Sequence, residues 1–370
     1  MKFAVIKNDR NPQRDALADE IVAACLGHGH ELGSADNGVR FVLNLTDTDN
    51  PQLFRRRAQS VFVFSLVTPD RPPQTPQELK SLCFTTLIRT LSNVVLCAVP
   101  KNGANGGNGA GYEMYFTTPE AGFYHLGYDA EEVYRRLIPI AGARFAIGNR
   151  FSEDLPERFW STSPVIERLK RGAVELDSLG VLPAPFNLRS FLSEETIRDI
   201  YRLFEMKGLS HGNLSARESI PELGDSTFWM TARGVDKAKI SRIGWDILCV
   251  KGFDHGAGEA LVSVPPDRDP RARVSVDAVE HELIYRRFPG VGAIVHVHAW
   301  IDGVLCTRQN YPCGTVDLAE DVADLLEKTG RPERTAVGLR NHGLTITGPD
   351  LDDIFARIRG TLRTEVEMMA

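Results

Sequence analysis

The chain has 370 residues and a formal net charge of −6, with 42% apolar and 25% charged residues. That length is large for one core and the composition is that of an ordinary globular chain, so two domains are expected. The acidic balance excludes general nucleic-acid binding, because a phosphate backbone selects a basic surface, and no apolar run approaches the roughly 20 residues of a membrane span.

The opening run Phe3-Ala4-Val5-Ile6 is too short for a secretion signal and reads as a strand over 3–6. Helical spacing of Leu17, Ile21, Val22 and Cys25 predicts a helix over 14–26. Strands are expected over 40–45, 60–67 and 94–99, with helices over 51–58 and 76–92 between them. Short strands over 113–117 and 123–126 follow, then a helix over 129–141 with Asp129 as its N-cap, then a strand over 145–147. Such alternation implies an α/β domain over 1–150 with a largely parallel sheet. No nucleotide-binding fingerprint assigns it a role. The stretch from Asn102 to Gly111 is glycine- and asparagine-rich, fits neither phosphate-loop spacing, and reads as a flexible loop.

Residues 151–190, punctuated by Pro156, Pro164, Pro183 and Pro185, read as a connector with a short helix over 165–175. A second domain over 191–370 opens on Ser193-Glu194-Glu195-Thr196, a good helix start, and that helix is expected to run to 207 before Gly208 stops it. Then come short strands and turns, a helix over 276–287, a strand carrying His296 and His298, a helix over 318–328, strands over 336–339 and 345–347, and a last helix from Asp350. The six cysteines form no Cys-x-x-Cys pair, and several sit in apolar runs such as Val94 to Val99. They read as small buried hydrophobes in a reducing compartment, so a cytoplasmic enzyme is expected.

Three histidines carry the chemistry. His296 and His298 stand two apart in the β-branched run Ala293-Ile294-Val295-His296-Val297-His298-Ala299, so their side chains share one strand face. His342 follows in the turn Asn341-His342-Gly343. Two buried imidazoles without partners cost on the order of 1–3 kcal/mol each, which favours a divalent-metal site over plain packing. Zinc is the default ion for three imidazoles, with Mn2+ or Co2+ also suited.

Further motifs stand in a fixed order with them: Gly212-Asn213-Leu214-Ser215, then Thr231-Ala232-Arg233-Gly234, then Asp277, then the histidines. Over residues 190–360 this order resembles the class II aldolase/adducin family, whose enzymes include sugar-phosphate aldolases and 4-epimerases. The resemblance implies an αβα domain around a mostly antiparallel sheet, with a metal held by His296, His298 and His342. It implies that Asp277 is the acid/base beside the metal, where family aldolases usually carry glutamate and the epimerases aspartate. Asp277 also reads as a helix N-cap, and Glu280 and Glu282 as solvated helix residues. The family's phosphate pocket maps onto Gly212, Asn213, Gly234 and Ser275, with Arg233 where a small hydroxyl residue is usual and Val276 replacing a second serine. Arg233 is expected either to hold a phosphate or carboxylate, or to be a surface turn residue.

His342 follows His298 by 44 positions, fewer than is usual, so the intervening segment looks trimmed to 306–315, with Tyr311 as its one tyrosine. The resemblance implies a lyase that cleaves a small phosphorylated or carboxylated keto-sugar through a metal-stabilised enediolate, or a 4-epimerase or dehydratase using the same site. It also implies a homo-oligomer, commonly a tetramer, and a small-molecule substrate. The adducin branch uses this domain as a scaffold that need not keep its ligands; here all three histidines are present.

Overall fold

The computed structural model describes residues 1–35, 38–56, 58, 60–101, 111–120, 122–182, 188–190, 192–203 and 211–369. The glycine-rich stretch 102–110 and the expected helix end at 204–207 lie outside them. The chain forms two compact units, one of Met1–Gly142, Asn187–Ile197 and Met368–Ala370, the other of Ala143–Phe186 and Arg198–Glu367.

In the first unit β1 (Lys2–Lys7), α1 (Pro12–Gly27), β2 (Glu31–Leu32), β3 (Phe41–Leu45), β4 (Phe62–Val67), α2 (Pro76–Thr90), β5 (Val94–Pro100), β6 (Tyr112–Thr117), β7 (Phe123–Gly127) and α3 (Ala130–Gly142) follow in order. The sheet order is β2-β1-β3-β4-β5-β6-β7. Pairings from β2 through β5 are parallel, and the last two are antiparallel. Strands β3 and β4 are buried at every position, as expected for a parallel sheet covered on both faces. The helix starts use side-chain caps. Asn11, Thr75 and Asp129 accept from the backbone N–H of Arg14, Glu78 and Glu132. The helix expected over 51–58 does not form. Its backbone is tied instead to the strand before it, with the Gln52 N–H donating to Thr46 Oγ1 at 2.7 Å and Asn44 Nδ2 donating to the Gln52 carbonyl at 2.9 Å.

The second unit holds β8 (Gly148–Ser152), α4 (Pro164–Ser178), β9 (Asn213–Arg217), β10 (Phe228–Thr231), β11 (Ile247–Asp254), β12 (Glu259–Ser263), α6 (Ala278–Arg287), β13 (Ala293–Val297), α7 (Val316–Lys328), β14 (Ala336–Leu339), β15 (Gly343–Gly348) and α8 (Leu351–Ile358), while α5 (Glu194–Leu203) begins in the first unit's residues. The sheet order is β14-β15-β13-β9-β10-β11-β12-β8, antiparallel except at the β12/β8 edge.

Two boundaries differ from the sequence reading. The strand expected over 145–147 lies later, at β8, and pairs in parallel with β12 of the second sheet. Alternation reveals a strand but not which sheet takes it. The expected connector contains α4, capped by Ser163 and buried along Ile166, Leu169, Ala173 and Leu176, which packs against α8 and β9. Much of 151–190 is therefore a built layer of the second unit.

Candidate metal centre and its surroundings

Strands β9, β13 and β15 are neighbours, and their register sets Asn213 and Thr345 on either side of His296. Side chains of cross-strand partners share a face, so these three form a polar row across an apolar sheet. Helix α6 lies over that row. Its start brings Asp277 to Asn213, whose Nδ2 donates to Asp277 Oδ2 at 2.7 Å and to Ser275 Oγ at 3.1 Å. One turn on, Thr345 Oγ1 donates to Glu280 Oε1 at 2.6 Å. A turn further, the Ser215 hydroxyl meets His281 Nδ1 at 2.7 Å and the Tyr285 hydroxyl at 2.8 Å.

His298 follows the end of β13, and His342 precedes β15 after Asn341, which takes φ +57. One ligand atom from each of His296, His298 and His342 lies within 4.8 Å of the others. The rings stand 4.7–5.2 Å apart, and the two Nε2 atoms of His298 and His342 approach to 3.1 Å. Two glycines make this possible. A Cβ on Gly212, at φ +82, would stand 2.4 Å from the His296 carbonyl oxygen, and one on Gly343 would stand 2.2 Å from that of Val297.

The three imidazoles could hold a metal ion. Burial lowers the pKa of His296, with Asp277 opposing, and lowers those of His298 and His342 well below the ordinary value, reinforced by neighbouring imidazoles. Neutral rings keep a lone pair for a metal. His296 Nδ1 lies 3.0 Å from the Leu344 carbonyl, an acceptor only, so Nδ1 carries the hydrogen and Nε2 keeps its lone pair. His296 Nε2 and His298 Nδ1 are buried without a hydrogen-bond partner. A divalent ion among the three rings fits this donor set.

A profile of the family described as Class II Aldolase and Adducin N-terminal domain matches residues 195–361. This segment of the chain belongs to that family. Among solved structures, an L-fuculose 1-phosphate aldolase aligns at 18% identity over 54% of this chain and 83% of its own, with a TM-score of 0.34. An aldolase II superfamily protein from Pseudomonas syringae aligns at 19% identity over 54% and 72%, with a TM-score of 0.32. A sugar-phosphate aldolase from Thermotoga maritima aligns at 14% identity over 51% and 90%, also at 0.32. No curated protein matches the chain.

Within this class II aldolase/adducin-type domain, Asp277 occupies the N-cap position of α6 but makes no side-chain cap bond. Its carboxylate turns to Asn213 instead. Gly212, Asn213, Ser275 and Asp277 are thus gathered beside His296. The Arg233-Gly234 turn adjoins the Ser275 segment through its backbone, since the Arg233 N–H donates to the Arg273 carbonyl at 2.7 Å and Ala232 bridges Val274. The Arg233 side chain is exposed and makes no hydrogen bond or ion pair among the described residues. Glu280 and Glu282, expected to be solvated, are both buried. Burial, then the Asp277 charge, pushes the Glu280 carboxyl up to about 8. Tyr311 is half-buried, with Asp317, Asp321 and Glu320 as its charged surroundings.

Three groups escaped the sequence reading. Lys237 is buried, and burial lowers its ammonium to about 8 against the opposing charges of Asp277 and Asp236. Nothing in Val235-Asp236-Lys237-Ala238-Lys239 separates it from the exposed Lys239. The His211 ring lies tilted against that of His298 with centroids 5.1 Å apart, its Nε2 is buried and unpartnered, and burial lowers its pKa to about 4. Its position before Gly212-Asn213 was the available signal. Cys313 Sγ lies 3.3 Å from His342 Nε2, a contact spanning 29 positions that no local pattern reveals. Among the described residues, no helix is long and apolar enough to cross a membrane.

Proposed function

We propose that the second unit is a metal-dependent lyase that cleaves a C–C bond of a small phosphorylated or carboxylated keto-sugar. His296, His298 and His342 would hold the ion, zinc by default and Mn2+ or Co2+ as alternatives. When bound, it supplies Lewis-acid polarisation of a substrate carbonyl. The observation that carries the reading is the Asp277 carboxylate, buried on the same sheet face as His296 and turned away from its own helix terminus.

Asn213 holds Asp277 by Oδ2, which leaves Oδ1 to take and return the substrate proton. The backbone around Gly212 and Gly234, with Ser275 and the exposed Arg233 guanidinium, would receive the phosphate or carboxylate. Burial of this face keeps bulk water from the reacting carbon. The family also supports a cytoplasmic homo-oligomer, a tetramer being the common form among relatives.

Incubating the metal-loaded protein with a panel of ketose phosphates tests the reading, and aldehyde release is the expected result. An isomeric ketose without aldehyde would replace the lyase by a 4-epimerase, which the aspartate at 277 favours. Loss of water would replace it by a dehydratase. Absence of any turnover across the panel, together with absence of bound metal, would replace it by a scaffold of the adducin kind.

A further inference from the structure

The loop between β13 and α7 carries two half-buried cysteines, Cys306 and Cys313. The backbone around Cys313 is pinned on both sides. Thr315 Oγ1 donates to the Pro312 carbonyl at 2.8 Å, and the Ala146 N–H donates to the Gly314 carbonyl at 2.8 Å. Gly314 takes φ +73, and a Cβ there would stand 2.4 Å from Ile147 Cγ2, so the turn that presents Cys313 is specific to glycine. Thr315 then caps α7 through the Leu318 N–H. The thiol is thus a placed group.

Its Sγ lies 3.3 Å from His342 Nε2 and 3.9 Å from Nδ1. The same Nε2 lies 3.1 Å from His298 Nε2. Around a tetrahedral divalent ion, bonds of about 2.0 Å to nitrogen and about 2.3 Å to sulfur set donor–donor edges of about 3.3 and about 3.5 Å. The two approaches at His342 Nε2 are of that size. A thiol–imidazole hydrogen bond accounts for one of them, but not for a second imidazole nitrogen on the same atom. The buried, unpartnered Nε2 of His296 is an independent sign that the cluster is built around something it binds. Of the three histidines, the thiol's hydrogen-bond-range contact is with His342, and Sγ stands outside the group of three imidazoles whose ligand atoms lie within 4.8 Å of one another, so coordination requires it to move toward His296 and His298.

We propose that Cys313 is a fourth, exchangeable protein ligand of this centre. Three imidazoles leave one position of a four-coordinate ion open, and in the resting protein the thiolate fills it and yields it to substrate. The inference rests on the metal reading above. Coordination exchanges the S–H bond for a sulfur–metal bond, the proton passes to solvent, and no electron is transferred. A thiolate also favours the softer zinc and cobalt over manganese.

Titration of the full metal-free chain with Co2+ tests this by absorption. The expected spectrum combines the visible d–d bands of a four-coordinate site with a near-ultraviolet thiolate-to-cobalt charge-transfer band. Cys313→Ser and Cys313→Ala keep the d–d bands, which report an intact site, and lose the charge-transfer band; Cys306→Ser keeps both. Bound Co2+ without the charge-transfer band in the native chain overturns the proposal, as does a band that survives in both Cys313 variants. A native chain that binds no Co2+ overturns the metal reading itself, an outcome distinct from Co2+ bound without sulfur.

Discussion

The first sheet buries apolar side chains and neutral polar groups, whereas the second buries ionisable ones. In the first unit the buried polar chain is Asn44, Ser65, Ser92 and Thr90, each bonded to the next at 2.7–3.1 Å. Among the described residues, Arg14 is the one buried charged side chain there, and it pairs with Asp9. The second unit buries Lys237, Asp277, Glu280, His281, Glu282, His296, His298 and His342. Several of their polar atoms have no partner, and each such atom costs about 1–3 kcal/mol. Neutral satisfied networks specify packing. Buried ionisable groups with orphaned atoms do not help a chain fold, and their concentration on one face of one sheet marks where function is held.

The largest expected effect that sharpens this comparison is Asp277→Asn. The variant keeps the shape and the Asn213 neighbour but loses the base, so kcat should fall by about 10²–10⁴-fold with metal content unchanged. Steady-state kinetics beside metal analysis check it; loss of metal would recast Asp277 as a supporting ligand. Next is Gly212→Ala, which strains a left-handed backbone and drives a methyl into the His296 carbonyl. It should cost about 1–3 kcal/mol in urea unfolding and lower metal affinity together. Its counterpart in the first sheet, Leu96→Ala in buried β5, should cost about 2–5 kcal/mol and leave metal affinity as in the native chain. Equal effects on metal binding would break the contrast.

The smallest effect concerns Glu280. Its carboxyl rises from 4.5 to about 8 in the fold, so folding takes up a proton between those values. Its contribution is present in full below the unfolded value and is lost as pH rises through the folded one. Glu280→Gln fixes the neutral form and should flatten the fall in stability across that window, read from denaturant midpoints of both proteins; parallel curves would contradict it.

Much of the centre was legible because strand periodicity is short-range. His296 and His298 share a face once their run is extended, and Asn341-His342-Gly343 announces a turn that the φ of Asn341 bears out. The same periodicity placed most strands of the first sheet and, in the second, β13, β14 and β15, whereas β9 to β12 were expected only as short strands and turns without bounds. What it could not supply was partnership at a distance. Whether a strand after residue 145 joins the first sheet or the second depends on β12, and whether Glu280 meets water or Thr345 depends on β15. Lys237 and Cys313 acquire their surroundings from segments far along the chain, so their types and neighbours in sequence carried no mark.

The central claim is that the three buried histidines are a metal site, and metal analysis of the purified native chain beside His296→Ala and His298→Ala tests it most directly. The expected result is about one divalent ion per native chain, its loss in both variants, and thermal stabilisation of the stripped native chain when zinc, cobalt or manganese is restored. A native chain that carries no such ion, and that gains no stability when offered any of the three, would contradict it.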